Sequence, residues 1–216
     1  NVAFLWARVC KIAAKKNTIL VFAAGNDDIL TSIPPENRNA SSIVVTAVDK
    51  RLYPTVFTNY GPCSDISAPG KGIYSSFPSN TFQSCDGTSM AAPIVTGTIA
   101  LMKSLKKDIT VAQARNVLYN TGADVYGYIP PMVLVDKALM AVKKGDFREP
   151  TERKIKPVPD GEGDDSAAGR VVDVEDISET PTPTQQTGGT DYEAIRRKIA
   201  EYKKKITELE KLLPNK

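Results

Sequence analysis

Histidine is missing from all 216 residues of this chain. Any hydrolytic serine in it is therefore without its usual general base. Cysteine is scarce: Cys10, Cys63 and Cys85 make an odd count with no CxxC pair, so neither a zinc site nor a thioredoxin-like motif is indicated. No apolar run approaches the roughly 20 residues needed to span a bilayer. Charge of one sign is not in excess either. The 28 Lys plus Arg stand against 25 Asp plus Glu, which gives no general attraction to nucleic acid or to an anionic membrane. The chain opens at Asn1, directly in the apolar stretch Val2-Ala3-Phe4-Leu5-Trp6, and reads as a truncated start. The lack of a signal peptide therefore carries no information about destination.

What is present supports a core, since 41% of the residues are hydrophobic. Val2, Leu5, Trp6, Val9, Ile12 and Ala13 recur at steps of three and four, the period of a helix packed on one face, and Lys15-Lys16-Asn17 suit its end. The continuous run Thr18 to Ala24 reads as a strand buried on both faces, stopped by Gly25-Asn26. A second β-type run covers Ser42 to Val48, with shorter pieces around Tyr53 to Thr58 and Asp65 to Ala68. From Met90 to Leu105 the sequence is small, apolar and almost uncharged, as in a helix surrounded by protein. Ala112 to Tyr119, opened by Thr110 as an N-cap, and Val133 to Lys143, with Val135, Leu139 and Val142 inward, predict two more helices. Helices alternating with buried strands point to an α/β fold with a mainly parallel sheet.

The folded domain is expected to span residues 1–148. Residues 149–190 are rich in Pro, Gly, Thr and acid, with eight carboxylates and one arginine between Asp160 and Thr190, and read as a disordered linker. Residues 191–216 carry Tyr192, Ile195, Ile199, Tyr202, Ile206, Leu209 and Leu213 in a heptad pattern, the seam of a coiled-coil-like helix. Three heptads are marginal alone, so residues 191–213 would self-associate, dock on the domain, or fray.

The chemistry centres on Gly87-Thr88-Ser89-Met90-Ala91-Ala92-Pro93. Ser89 at the start of a helix would be exposed, and its own N–H is one of the donors left unpaired at a helix N-terminus, suited to an oxyanion. The plainer reading is that Ser89 or Thr88 caps the helix. Asn26 ends a strand where its carboxamide could reach the same crevice, although Gly25-Asn26-Asp27-Asp28 also suits an ordinary turn. Cys10 reads as a small buried side chain. Cys63 and Cys85, in Gly/Pro/Ser-rich loops, leave a disulfide open in an oxidising compartment.

Taken together, Ala23-Ala24-Gly25-Asn26, Ala68-Pro69-Gly70 and Gly87 to Pro93 with Val95 and Gly97 resemble the C-terminal half of the subtilisin-like serine proteases, the subtilase or peptidase S8 family, over about residues 1 to 145. The resemblance implies a three-layer subtilisin-like fold of which this chain holds the C-terminal portion. It implies serine endopeptidase chemistry, with Ser89 as nucleophile and Asn26 as oxyanion donor. Ala23, Ala24 and Gly25 would form one wall of the pocket for the substrate side chain before the cleaved bond. The catalytic Asp and His would precede the present sequence, so the chain alone should be silent. Its substrates would be proteins or peptides, no cofactor is required, and its place of action would be extracytoplasmic or secreted.

Two positions depart from the pattern. Ile94 stands where the family usually has a histidine outside the triad, a change expected to affect packing rather than chemistry. The segment Asn59 to Ile66 is similar to the secreted proteinase K-like branch, in which a cysteine at the place of Cys63 can be disulfide-bonded; the usual partner is missing and Cys85 is the nearby substitute. Asp65 matches a position that helps bind a structural calcium in some relatives, with a turn aspartate as the alternative. A catalytically inactive subtilase-like scaffold, assembled through its C-terminal helix, is the alternative function.

Overall fold

The apolar run Ser42–Val48 forms β2, the middle of a three-stranded parallel sheet of order β1-β2-β3. Its neighbours are β1, Leu20–Ala23, with Leu20 opposite Ser42, and β3, Ile66–Pro69, with Val45 opposite Ile66. This is a computed structural model, and it describes residues 2–31 and 42–158. The heptad segment 191–216 and the acidic stretch from 159 onward lie outside the described residues.

Ile43, Val45, Val48 and Ile66 have no measurable exposure, as expected of a β-branched run covered on both faces. The strand β1 differs from the sequence expectation. It is half-buried, and Ala23 is exposed, because among the described residues it has only β2 beside it. A short apolar run looks the same at an edge and in the middle of a sheet.

Everything from Ala13 to the last described residue belongs to one compact unit. Of the helix α1, Val2–Lys15, the residues from Ala13 onward belong to this unit. Cys10, on the earlier part of α1, is buried, and burial pushes its thiol pKa up, so the protonated form is favoured.

The helix α2, Thr88–Leu105, lies against all three strands of the sheet. Ala91, Val95, Thr98, Ile99 and Met102 form its buried face. The uncharged sequence suggested cover on every side, but Leu101 and Leu105 are about half exposed, at 48% and 53%. Small residues lower the hydrophobic contrast between the two faces, which hides the orientation of the helix from its sequence. Each fully buried Val or Ile contributes about 1.5–3 kcal/mol, so this interface is a substantial source of the unit's stability.

The helix α3, Val111–Thr121, starts with a capping box. The Thr110 hydroxyl accepts from Gln113 N–H, and the Gln113 side chain accepts from Thr110 N–H. The helix α4, Val135–Lys144, packs on α2 and α3 and ends at left-handed Gly145. Its inward residues are Ala138, Ala141 and Val142, with Leu139 partly buried against the core and Val135 at the surface.

An antiparallel hairpin, β4 (Ile73–Phe77) and β5 (Thr81–Cys85), interrupts the path from β3 to α2. Beyond α4 the chain remains attached past Arg148, further than its composition suggests. Asn120 Nδ2 donates to the carbonyls of Arg148 and Glu149, and Arg153 donates to those of Tyr119, Asn120 and Gly122. A guanidinium there satisfies carbonyls left open at the end of α3 and complements the helix dipole.

Asp65 and Arg115 form the most enclosed ion pair among the described residues. Asp65 Oδ1 lies 2.8 Å from Arg115 Nε, and Oδ2 accepts from Val44 N–H at 2.8 Å. Replacing Asp65 with Ala leaves a largely buried guanidinium and an unpaired strand N–H. The expected loss in chemical denaturation is about 3 kcal/mol. A loss below about 0.5 kcal/mol would show that the pair does not hold β2 to α3.

Candidate active site

Gly87 precedes α2 with φ 150° and ψ 156°, a conformation open essentially to glycine alone. Glycine has no side chain with which to cap the helix, so the first-turn donors of α2 must find acceptors elsewhere. Met90 N–H donates to Gly87 O at 3.0 Å, and Thr88 N–H donates to Asn26 Oδ1 at 2.9 Å. Ser89 N–H, lying between them, has no acceptor among the described residues, and the Ser89 side chain is exposed.

The hydrogen bonds of Asn26 fix which way its carboxamide faces. Both Thr88 N–H and Thr88 Oγ1 bond Oδ1 at 2.9 Å. A backbone N–H can only donate, so the oxygen must face Thr88 and the amide nitrogen must face away. Nδ2 then lies 3.6 Å from the point where a Gly87 Cβ would sit, and Ser89 N lies 3.7 Å from that same point. Two N–H donors thus border one small volume, kept open by the missing side chain of Gly87. Oriented donors around such a volume can stabilise a developing oxyanion.

Three separate pieces of chain meet to build this corner. The first leaves the end of β1, where Ala24 N–H continues the ladder to Val45 O. The second is β3 and its continuation to Gly70, whose carbonyl accepts from Gly87 N–H at 2.8 Å. The third is the start of α2. Gly25 N–H donates to Thr88 Oγ1 at 3.2 Å, which completes the tie between the first and third. Ser89 and Asn26 are therefore brought together, and Ala23, Ala24 and Gly25 sit directly beside Asn26.

Thr88 is the residue that sequence reasoning passed over as a cap. It is fully buried, and its hydroxyl bridges Gly25 N–H and Asn26 Oδ1. A β-branched hydroxyl directly after a helix-opening glycine was the available signal, but its partners lie more than sixty residues away.

The prospective calcium ligand has other work. Both oxygens of Asp65 are engaged, by Arg115 and by Val44 N–H, and a carboxylate held by a guanidinium is a poor ligand for a cation. Among the described residues no group of three His, Cys, Asp or Glu is placed to hold a metal ion. Cys10, Cys63 and Cys85 are all thiols, so Cys63 and Cys85 do not form the bridge left open above.

Comparison with known proteins bears on the family of the chain. Residues 4–153 match the subtilase family, peptidase S8. Subtilisin BL from Lederbergia lenta is 36% identical over 113 residues, 52% of this chain and 42% of that protein. Subtilisin DY from Bacillus licheniformis is 37% identical over 110 residues, 50% of this chain and 40% of that protein. Among solved structures, one of proteases from Pseudoalteromonas arctica superposes with a TM-score of 0.58 at 27% identity, covering 63% of this chain and 46% of that one. The chain thus spans less than half the length of these relatives.

Gly87→Ala tests how firmly the corner is held. Met90 Sδ at 3.5 Å and Asn26 Nδ2 at 3.6 Å are ordinary contacts for an added methyl, so backbone strain rather than a clash sets the effect. A loss of about 1–3 kcal/mol in urea unfolding is expected. A loss within about 0.3 kcal/mol would mean that the backbone relaxes without strain and that the volume is not enforced by glycine.

Proposed function

This chain belongs to the subtilase family, and from that premise we propose that it supplies the nucleophile and the oxyanion donors of a serine endopeptidase. Ser89 Oγ attacks the carbonyl carbon of the scissile peptide while its proton passes to a base from outside this chain. The carbonyl oxygen becomes an oxyanion in the volume beside Gly87, stabilised by Asn26 Nδ2–H and Ser89 N–H. Collapse of the tetrahedral species expels the amine, which takes up the proton. Water then hydrolyses the acyl-enzyme by the same steps in reverse. Ala23, Ala24 and Gly25 form one wall of the pocket for the side chain before the cleaved bond. Their small side chains leave room there.

The observation that carries this reading is the approach of Asn26 Nδ2 and Ser89 N to one point at the start of α2. A helix cap alone accounts for the oxygen of the carboxamide. It does not account for an amide nitrogen that borders the same point as Ser89 N. The imidazole base of this proposal comes from outside this chain, which contains no histidine, and the carboxylate that orients it comes with it. On this proposal residues 1–216 by themselves do not hydrolyse peptides. The expected substrates are proteins or peptides, the chemistry needs no cofactor, and the site of action is outside the cytoplasm. Residues 191–213 are proposed to serve self-association or docking.

The test uses the protein together with its base-bearing sequence. Asn26→Leu should lower kcat by about 10²–10³, the effect of losing one oxyanion donor in this class of enzyme. A fluorophosphonate should label Ser89. Unchanged kcat in Asn26→Leu removes Asn26 from the mechanism. Well-folded protein that resists labelling supports an inactive scaffold instead.

A further inference from the structure

Asn59 lies between Phe57 and Tyr60 on a stretch that runs beside the Asn26 turn. Asp28 N–H donates to Phe57 O, Tyr60 N–H to Ile29 O, and Thr31 N–H to Tyr60 O. Within this zipper Asn59 is 5% exposed, and its backbone N–H and both ends of its side-chain amide bond the turn, while its carbonyl accepts from the Thr58 hydroxyl at 3.1 Å. Its N–H donates to Gly25 O at 3.0 Å, and its Nδ2 donates to Ala24 O at 3.0 Å. Its Oδ1 accepts from Asp27 N–H at 3.0 Å and from Ile29 N–H at 3.3 Å. The partners fix the orientation of this amide too, since two N–H groups require the oxygen and a carbonyl requires the nitrogen.

These four bonds reach residues 24 and 25 before Asn26 and residues 27 and 29 after it. They leave Asn26 itself untouched. The turn has no such support of its own, because Gly25 at φ 108° gives the backbone its widest freedom at the residue before the donor. A Cβ on Gly25 would come within 2.3 Å of Asn59 Nδ2, so glycine and asparagine fit as a pair. A buried amide spending all its bonds on the backbone around one exposed side chain is arranged to hold that side chain's origin in place.

We propose that Asn59 is a positioning residue for the oxyanion donor: it clamps the backbone on both sides of Asn26 so that Nδ2 meets the developing charge. The inference rests on the oxyanion reading of Asn26 and adds a residue to it. A displacement on the order of 1 Å in a reacting group lowers rate by about 10²-fold, so a loosened turn should act on kcat rather than on substrate affinity.

The experiment is a double-mutant cycle in the active protein. Asn59→Asp keeps the oxygen toward Asp27 and Ile29 but sets a second oxygen against Ala24 O. It should lower kcat by about 10–10²-fold with KM within about twofold. In an Asn26→Ala background the same substitution should change kcat by less than about twofold, because no donor remains to misplace. The thermal midpoint should fall equally in both backgrounds. Asn59→Ala, which places no charge in the buried site, is run through the same cycle. Equal kcat losses in both backgrounds, or a fall in midpoint with kcat unchanged, overturn the positioning role and leave Asn26 as donor. An unchanged kcat in Asn26→Ala alone overturns the oxyanion reading, and the inference with it.

Discussion

The hydrogen bond from Thr88 N–H to Asn26 Oδ1 joins the two parts of the site, because it settles two matters at once. A helix that begins at glycine has no capping side chain, so its open N–H groups take acceptors from elsewhere in the fold. Asn26 provides one, from the turn after β1. Giving its oxygen to Thr88 leaves its nitrogen at Gly87, 3.6 Å from where a Cβ would sit, with Ser89 N 3.7 Å from the same point. The cap of α2 and the donor beside the serine are thus opposite ends of one carboxamide. Thr88 Oγ1 strengthens the arrangement by bonding the same oxygen and receiving Gly25 N–H.

That bond holds only because the backbone on either side is already close. The parallel pairing of β1 with β2 and of β2 with β3 brings the ends of β1 and β3 to one edge of the sheet. Gly70 O then receives Gly87 N–H, which returns the chain to that edge after the hairpin excursion. Crevices at the carboxyl ends of parallel strands are the ordinary place for sites in α/β folds. Here the burial of Val45, Ile66, Val95 and Met102 supplies the stability against which the exposed turn is set. The Asp65–Arg115 pair serves the same framework, tying the start of β2 to α3, and so is structural where a metal ligand was considered.

Much of this was legible in the sequence, for identifiable reasons. The long apolar periods gave α1, β2 and α2, and Thr110 as an N-cap marked the start of α3. Ser89 and Asn26 stood out because a glycine opens each of their turns. The β4–β5 hairpin was not visible. Its strands hold Ser75, Ser76, Gln83 and Ser84 at the surface, and it turns through Ser79 and Asn80, both at positive φ, without the Asn-Gly pair that signals a tight hairpin. Thr88, Asn59 and Arg115 escaped for a common reason: the partners that matter here are 30 to 73 residues away in the chain, and no local pattern encodes such contacts. That β1 has a single neighbouring strand among the described residues was hidden because apolar runs do not record how many neighbours a strand has.

The most direct measurement of the central claim is a crystal structure of the active protein phosphonylated by a fluorophosphonate, with the phosphoryl oxygen standing for the oxyanion. The account places phosphorus on Ser89 Oγ, with one oxygen 2.7–3.1 Å from both Asn26 Nδ2 and Ser89 N. An adduct on another residue, or one whose oxygen turns away from either nitrogen, would contradict it.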